Sequence, residues 1–181
     1  MPNQVTEFLR EGLRRSAPGW FIGLCRIALG LIWLYSASWK TPPTFGQGTN
    51  AGLWYWVQQT IQYPAFTWYG NFLEGVVVPH FVLFGWLVFL LELSVGLSLL
   101  IGLFARVSSA LGVLLSLNLL IGLAAHPAKA IETYVMMILF HLLFMTTNAG
   151  LNWGTDQILL EKLANSPLRQ TAWGKRLIKI L

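Results

Sequence analysis

Residues 81–104 read FVLFGWLVFLLELSVGLSLLIGLF. One carboxylate, Glu92, interrupts an otherwise apolar stretch, and about 20 such residues suffice to cross a bilayer core of roughly 30 Å. Three more stretches meet that length: Trp20 to Ser38, broken only by Arg26; Val107 to Ala124, with no charge; and Ile131 to Thr147, with Glu132 at its edge and His141 inside. The turn between the second and third spans is very short and carries Arg106, which imposes an antiparallel hairpin. Pro127 breaks the helix between the third and fourth. The pattern predicts an all-α transmembrane four-helix bundle flanked by interfacial amphipathic helices, as one domain over residues 1–181, with spans at about 20–38, 81–104, 107–124 and 131–147.

Composition agrees. Of 181 residues, 55% are hydrophobic and only 10% charged, where a soluble domain is roughly a quarter charged. Such a chain cannot cover a water-facing surface, and it is too apolar to be disordered. Its single cysteine excludes an internal disulfide framework, a CxxC redox pair and a cysteine zinc site. Nothing points to nucleic acid.

The basic residues give an orientation. Arg10, Arg14, Arg15, Arg106, Lys162, Arg169, Lys175, Arg176 and Lys179 fall on one side of a four-span chain, Lys40 and Lys129 on the other. The positive-inside rule then puts both termini in the cytoplasm. A signal peptide is the competing reading of residues 1–38, with small residues at Ser36-Ala37-Ser38. The arginine inside the apolar run and the Trp39-Lys40 that follows favour a retained span.

Residues 3–15 place Val5, Phe8, Leu9 and Leu13 on one helical face. The end of the 156–181 cytoplasmic tail sets Trp173, Leu177 and Leu181 against Lys175, Arg176 and Lys179. Basic amphipathic helices of this kind lie in the headgroup layer, as anchors first and as docking faces second. The outer loop, 41–79, opens with turn formers (Pro42-Pro43, Gly46-Gln47-Gly48) and is dense in tryptophan and tyrosine from Trp54 to Phe72. An interfacial aromatic belt of one or two short helices is expected there. It reads as a lid sealing the bundle, or as the mouth of a lipophilic ligand site.

Every span contributes one polar group: Arg26, Glu92, Asn118 and His141. At 1.5 Å per residue, Arg26 lies roughly 9 Å from the start of its span, and Glu92 about 18 Å down from His80. These depths bring all four near one level. An isolated ion in hydrocarbon is costly, so Arg26 and Glu92 are expected to pair inside the bundle. The plain reading is a buried ion pair that sets helix register. The functional one is a polar site for a quinone headgroup, where His141 or Glu92 exchanges protons. Haem is not expected: His80 and His126 sit near the outer face and His141 near mid-depth, so no two spans offer imidazoles at one level. No metal site is expected either. Small-residue ridges at Ser94, Ser98 and Gly102, and at Ser108, Gly112 and Ser116, point to a tightly packed hairpin of the second and third spans. Cys25 is expected to face lipid or core.

Three motifs in order, Arg26-Ile-Ala-Leu-Gly30 with Trp39-Lys40, Glu92-Leu-Ser-Val-Gly96 through Gly102-Leu-Phe-Ala-Arg106, and Asn148-Ala-Gly150-Leu-Asn-Trp-Gly154-Thr-Asp156, resemble the DoxX/DoxD family of small prokaryotic membrane proteins. The resemblance implies a four-helix membrane bundle in the plasma (inner) membrane. It also implies a subunit role beside quinone-linked redox chemistry of sulfur compounds or thiols, since DoxD is a subunit of thiosulfate:quinone oxidoreductase. The chain shows no flavin or iron–sulfur signature, so any such oxidation needs a partner chain or a further cofactor. No covalently bound cofactor is expected; quinone or lipid is the possible ligand, and the bilayer and other complex subunits are the partners. The alternative is a non-catalytic accessory subunit of a larger respiratory or photosynthetic assembly. A transporter ranks last, because no inverted repeat is visible. In the third motif, Gly150 and Gly154 permit tight turns, Thr155 or Asp156 caps the helix that follows, and Asp156 pairs with Arg106 at the cytoplasmic face.

Overall fold

The computed structural model describes residues 18–128 and 131–180; the amphipathic segment expected at 3–15 lies outside them. Eight α-helices and no strand are found among the described residues. They are α1 (Gly19–Ser38), α2 (Gly52–Gln62), α3 (Thr67–Phe72), α4 (Phe81–Ile101), α5 (Ala105–Leu123), α6 (Ile131–Thr147), α7 (Thr155–Ala164) and α8 (Ala172–Ile180). Helices α1, α4 and α5 are long and apolar enough to cross a membrane, while α6, at 17 residues, is shorter.

The long helices are apolar all round, as a helix in hydrocarbon must be, so only part of each is buried by protein. In α1 the buried stripe is Ile22, Arg26, Leu29, Trp33 and Ala37, steps of four, three, four and four that keep to one face. That face meets α4. Gly30 lies so close to α4 that a Cβ on it would come within 2.8 Å of the Leu100 backbone nitrogen, and one on Gly96 would meet Leu34 at the same distance. Glycine is what permits these two axes to approach.

Helix α5 makes its main contact with α6 rather than with α4, so the bundle is two intimate pairs, α1 with α4 and α5 with α6. This corrects the expected hairpin of small-residue ridges. Gly112 packs against the His141 ring of α6, while Ser94 faces outward with its hydroxyl bonded to the Leu90 carbonyl at 2.6 Å. The turn from α4 to α5 keeps its ends joined by an αL residue, Gly102 at φ +70°, whose N–H donates to the Ser98 carbonyl at 2.9 Å. Short turns fix which helices are consecutive, not which faces are complementary.

The segment 41–79 folds as α2 and α3, with a wider π-helical turn over Leu73–Val77 leading toward α4. Phe45, fully buried, is driven against Gly85 and stands edge-on to Trp86 at 5.5 Å. Trp54 stands edge-on to Phe81 at 4.8 Å, and Trp56 and Tyr63 flank the His126 ring. Gln59 of α2 also meets His126 Nε2 at 3.1 Å. These contacts hold the two short helices over one end of the bundle. The tail helix α8 leaves Trp173 three-quarters exposed, with Lys175 and Arg176 also exposed.

Candidate functional site

Arg26 is fully buried and does not meet Glu92. Its Nε donates to the Ala149 carbonyl at 3.2 Å, Nη1 to the carbonyls of Leu99 and Leu100, and Nη2 to those of Asn152 and Trp153 at 3.1 and 3.2 Å. A guanidinium is a rigid fork of five N–H donors, and here it spends them on two chain ends. Leu99 and Leu100 are in the last turn of α4, where carbonyls lack helical partners and the dipole is negative. Asn152 and Trp153 belong to the turn after α6.

Asp156 completes this clasp. It accepts the backbone N–H of Phe104 at 2.7 Å and of Ala105 at 3.0 Å, and its own N–H donates to the Gly102 carbonyl at 2.9 Å. It therefore caps the start of α5, where free N–H groups and the positive dipole end favour a carboxylate. The expected Arg106–Asp156 ion pair does not form: the carboxylate is turned to the N–H groups that open α5, and Arg106 Nε donates to the Met145 carbonyl at 3.1 Å. Nor does Thr155 or Asp156 cap α7, which begins without a side-chain cap.

Glu92 pairs instead with Lys40, at 2.5 Å between Nζ and Oε2, both side chains 2% exposed. Lys40 follows the last turn of α1 and folds back, donating also to the carbonyl and hydroxyl of Ser36 at 3.0 and 3.1 Å. Its Nζ stands 4.2 Å from the Trp39 ring centre, a cation–π distance. Burial pulls the Lys40 ammonium below the ordinary lysine range, and the Glu92 carboxylate pulls it back up. The physical reason for the changed partner is register. The Gly30–Gly96 approach sets Arg26 beside Leu99 and Leu100, and Glu92 lies seven or eight residues away, about 11 Å along the axis.

The four polar residues of the spans thus separate. His141 is fully buried, its Nε2 accepting from Trp33 Nε1 at 2.8 Å, which places its ring proton on Nδ1; that atom has no partner among the described residues. Asn118 accepts from the Tyr69 hydroxyl of α3 at 2.9 Å. Burial pushes the Tyr69 phenol up, against the lowering effect of that hydrogen bond.

Glu92 and Asn118 share a cavity of about 700 Å³ that lies between α1, α4, α5 and α6 beneath α2 and α3 and reaches the surface at Tyr35, Leu87 and Leu114. Its walls are mostly apolar, among them Trp39, Trp56, Phe72, Phe84, Leu115 and Met137. Hydrogen-bonded polar groups break the lining at Lys40–Glu92 with Ser36 and at Tyr69–Asn118, and Thr133, Tyr35 and Tyr134 also border it. Arg26 and His141 are not in the lining. Size, apolar wall and sparse polar points are those of a small-molecule site.

Sequence reasoning missed Lys40 and Tyr69. Lys40 directly follows the first span and precedes two prolines, so only its folding back could reveal it. Tyr69 was one of many loop aromatics. Of the comparisons with known proteins, a family model described as the TQO small subunit DoxD matches residues 21–180. No curated protein and no solved structure matches the chain.

Proposed function

The chain belongs to the DoxD family, and from that membership we propose that it is the integral membrane subunit of a quinone-linked complex oxidising sulfur compounds, with the cavity as its quinone site. The observation that supports this is the 700 Å³ apolar cavity with a buried lysine–glutamate pair in its wall. A quinone ring has two carbonyl oxygens that accept hydrogen bonds; the Lys40 ammonium, bonded to Glu92 and Ser36, and the Tyr69 phenol, bonded to Asn118, each redirect one donor when the ring binds. Lys40 holds one oxygen and Tyr69 the other, while the aromatic walls take the ring.

Reducing a quinone to a quinol takes two electrons and two protons. With a single cysteine and no dithiol pair in the chain, the electrons come from a partner subunit that carries the sulfur chemistry. Glu92, hydrogen-bonded to Lys40, is the group able to pass a proton at this wall. The excess of basic residues at the α4–α5 turn and in the tail supports a reading with both termini in the cytoplasm and the cavity and its cover toward the outer face of a prokaryotic plasma membrane.

The test uses the intact complex in native-like lipid. Replacing Lys40 with Met together with Glu92 with Leu removes both charges without stranding either, and quinone reduction should fall at least about a hundredfold while subunit assembly persists. Unchanged turnover in an assembled complex would reject the cavity as the quinone site and leave an accessory structural role.

A further inference from the structure

A second hollow of about 340 Å³ opens on the flank of the bundle between α1 and α6. It is lined by Leu29, Ile32, Met136, Met137 and Phe140, with Glu132 and Thr133 at one rim. Ile32, Thr133 and Met137 line this groove and also the cavity, so only a layer of side chains divides the two. Ile32 and Met136 are each about half exposed and Thr133 is exposed, on a flank that meets lipid when the bundle is in a bilayer. Met137, at the inner side of the layer, is an unbranched thioether that changes shape readily.

We propose that Ile32, Thr133 and Met137 form a side-chain gate, and that the groove holds the hydrocarbon tail of the amphiphile whose head occupies the cavity. This rests on the reading of the cavity as a lipophilic headgroup site. The ligand class is accordingly a polar, ring-sized head on a long apolar tail that never leaves the bilayer. The head enters sideways between α1 and α6, past a methionine that swings, and the tail stays behind in the groove. Exchange through the cover would need α2 and α3 displaced, and those helices are held by Phe45, Trp54 and the His126 contacts. The gate needs only rotamer changes, which are fast compared with the movement of helices. Glu132 and Thr133 set the polar limit of the groove, so the tail runs from them toward Phe140.

The full chain in lipid nanodiscs is titrated with a tail-less benzoquinone and with a decyl-tailed benzoquinone, reading quenching of tryptophan fluorescence, since Trp39 and Trp56 line the cavity. In Met136→Phe, and separately in Met136→Trp, at a residue that lines the groove but not the cavity, the decyl-tailed probe should bind about tenfold more weakly while the tail-less probe stays within about twofold. Leu139→Phe, exposed on the same helix and lining neither hollow, should change neither. Equal weakening of both probes, or no change in either, would overturn the gate while the cavity reading stands. Failure of the unsubstituted chain to bind the tail-less probe at all would overturn the cavity reading itself, and the gate with it.

Discussion

Glu92 and Lys40 are each buried with one charged partner and one low-dielectric wall. Taking such ions out of water costs several kcal/mol apiece, which the pair recovers only while both members are present. The single substitution Glu92→Gln strands the ammonium and should destabilise the bundle by about 3 kcal/mol. The double substitution Lys40→Met with Glu92→Leu should lose clearly less, in the manner of buried ion pairs replaced by apolar groups. Unfolding in mixed micelles of the two variants measures this. Equal losses would show that the charges are not coupled. Arg26 represents the other solution to the same problem: its N–H groups are all satisfied by carbonyl oxygens at a helix C-terminus and a turn, with the Asp156 carboxylate near enough to attract it but not hydrogen-bonded to it. One residue type thus holds chain ends together, and the other leaves a polar spot open to a cavity.

The covering helices α2 and α3 are short, and short helices gain little stability by themselves. Their position depends on aromatic wedges, of which Phe45 is the deepest: fully buried, pressed on Gly85 and edge-on to Trp86. Phe45→Ala removes the wedge and leaves a void worth about 3 kcal/mol. Amide exchange across residues 52–77 should then rise well above that of the intact chain, while exchange in α1 and α4 below Gly96 stays slow. If the 52–77 segment keeps its protection, the cover is held by the Trp54 and His126 contacts alone. Gly85 belongs to the same joint, since a Cβ there would stand 2.4 Å from the Phe45 ring.

For the whole molecule, two helix pairs close one end with the Arg26–Asp156 clasp and the other with the aromatic cover, and the cavity lies between. The orientation rule makes a direct prediction on intact cells. With Cys25 replaced by Ser, a cysteine placed at the exposed Gln47 should react with a membrane-impermeant maleimide, and one placed at the exposed Lys175 should react only after lysis. The reverse pattern would invert the assignment of faces and put the cavity toward the cytoplasmic side.

The amino-acid sequence by itself determined the class of fold. Four long apolar stretches with few charges have no stable state in water, and in hydrocarbon a helix is the conformation that satisfies its own backbone. It also determined where the chemistry-bearing residues sit along each helix, and the family to which their motifs belong. Only the tertiary structure decided which of them meet. Depth counted from assumed span ends placed Arg26 opposite Glu92, whereas helix register is set by the closest backbone approach, at Gly30 and Gly96, and that approach moves the two apart. The partner that Glu92 does take, Lys40, comes from beyond the end of a span, and the Tyr69 that meets Asn118 comes from the segment between spans. Both contacts depend on how far a chain folds back over its own helices, a property of packing in three dimensions that no one-dimensional spacing contains.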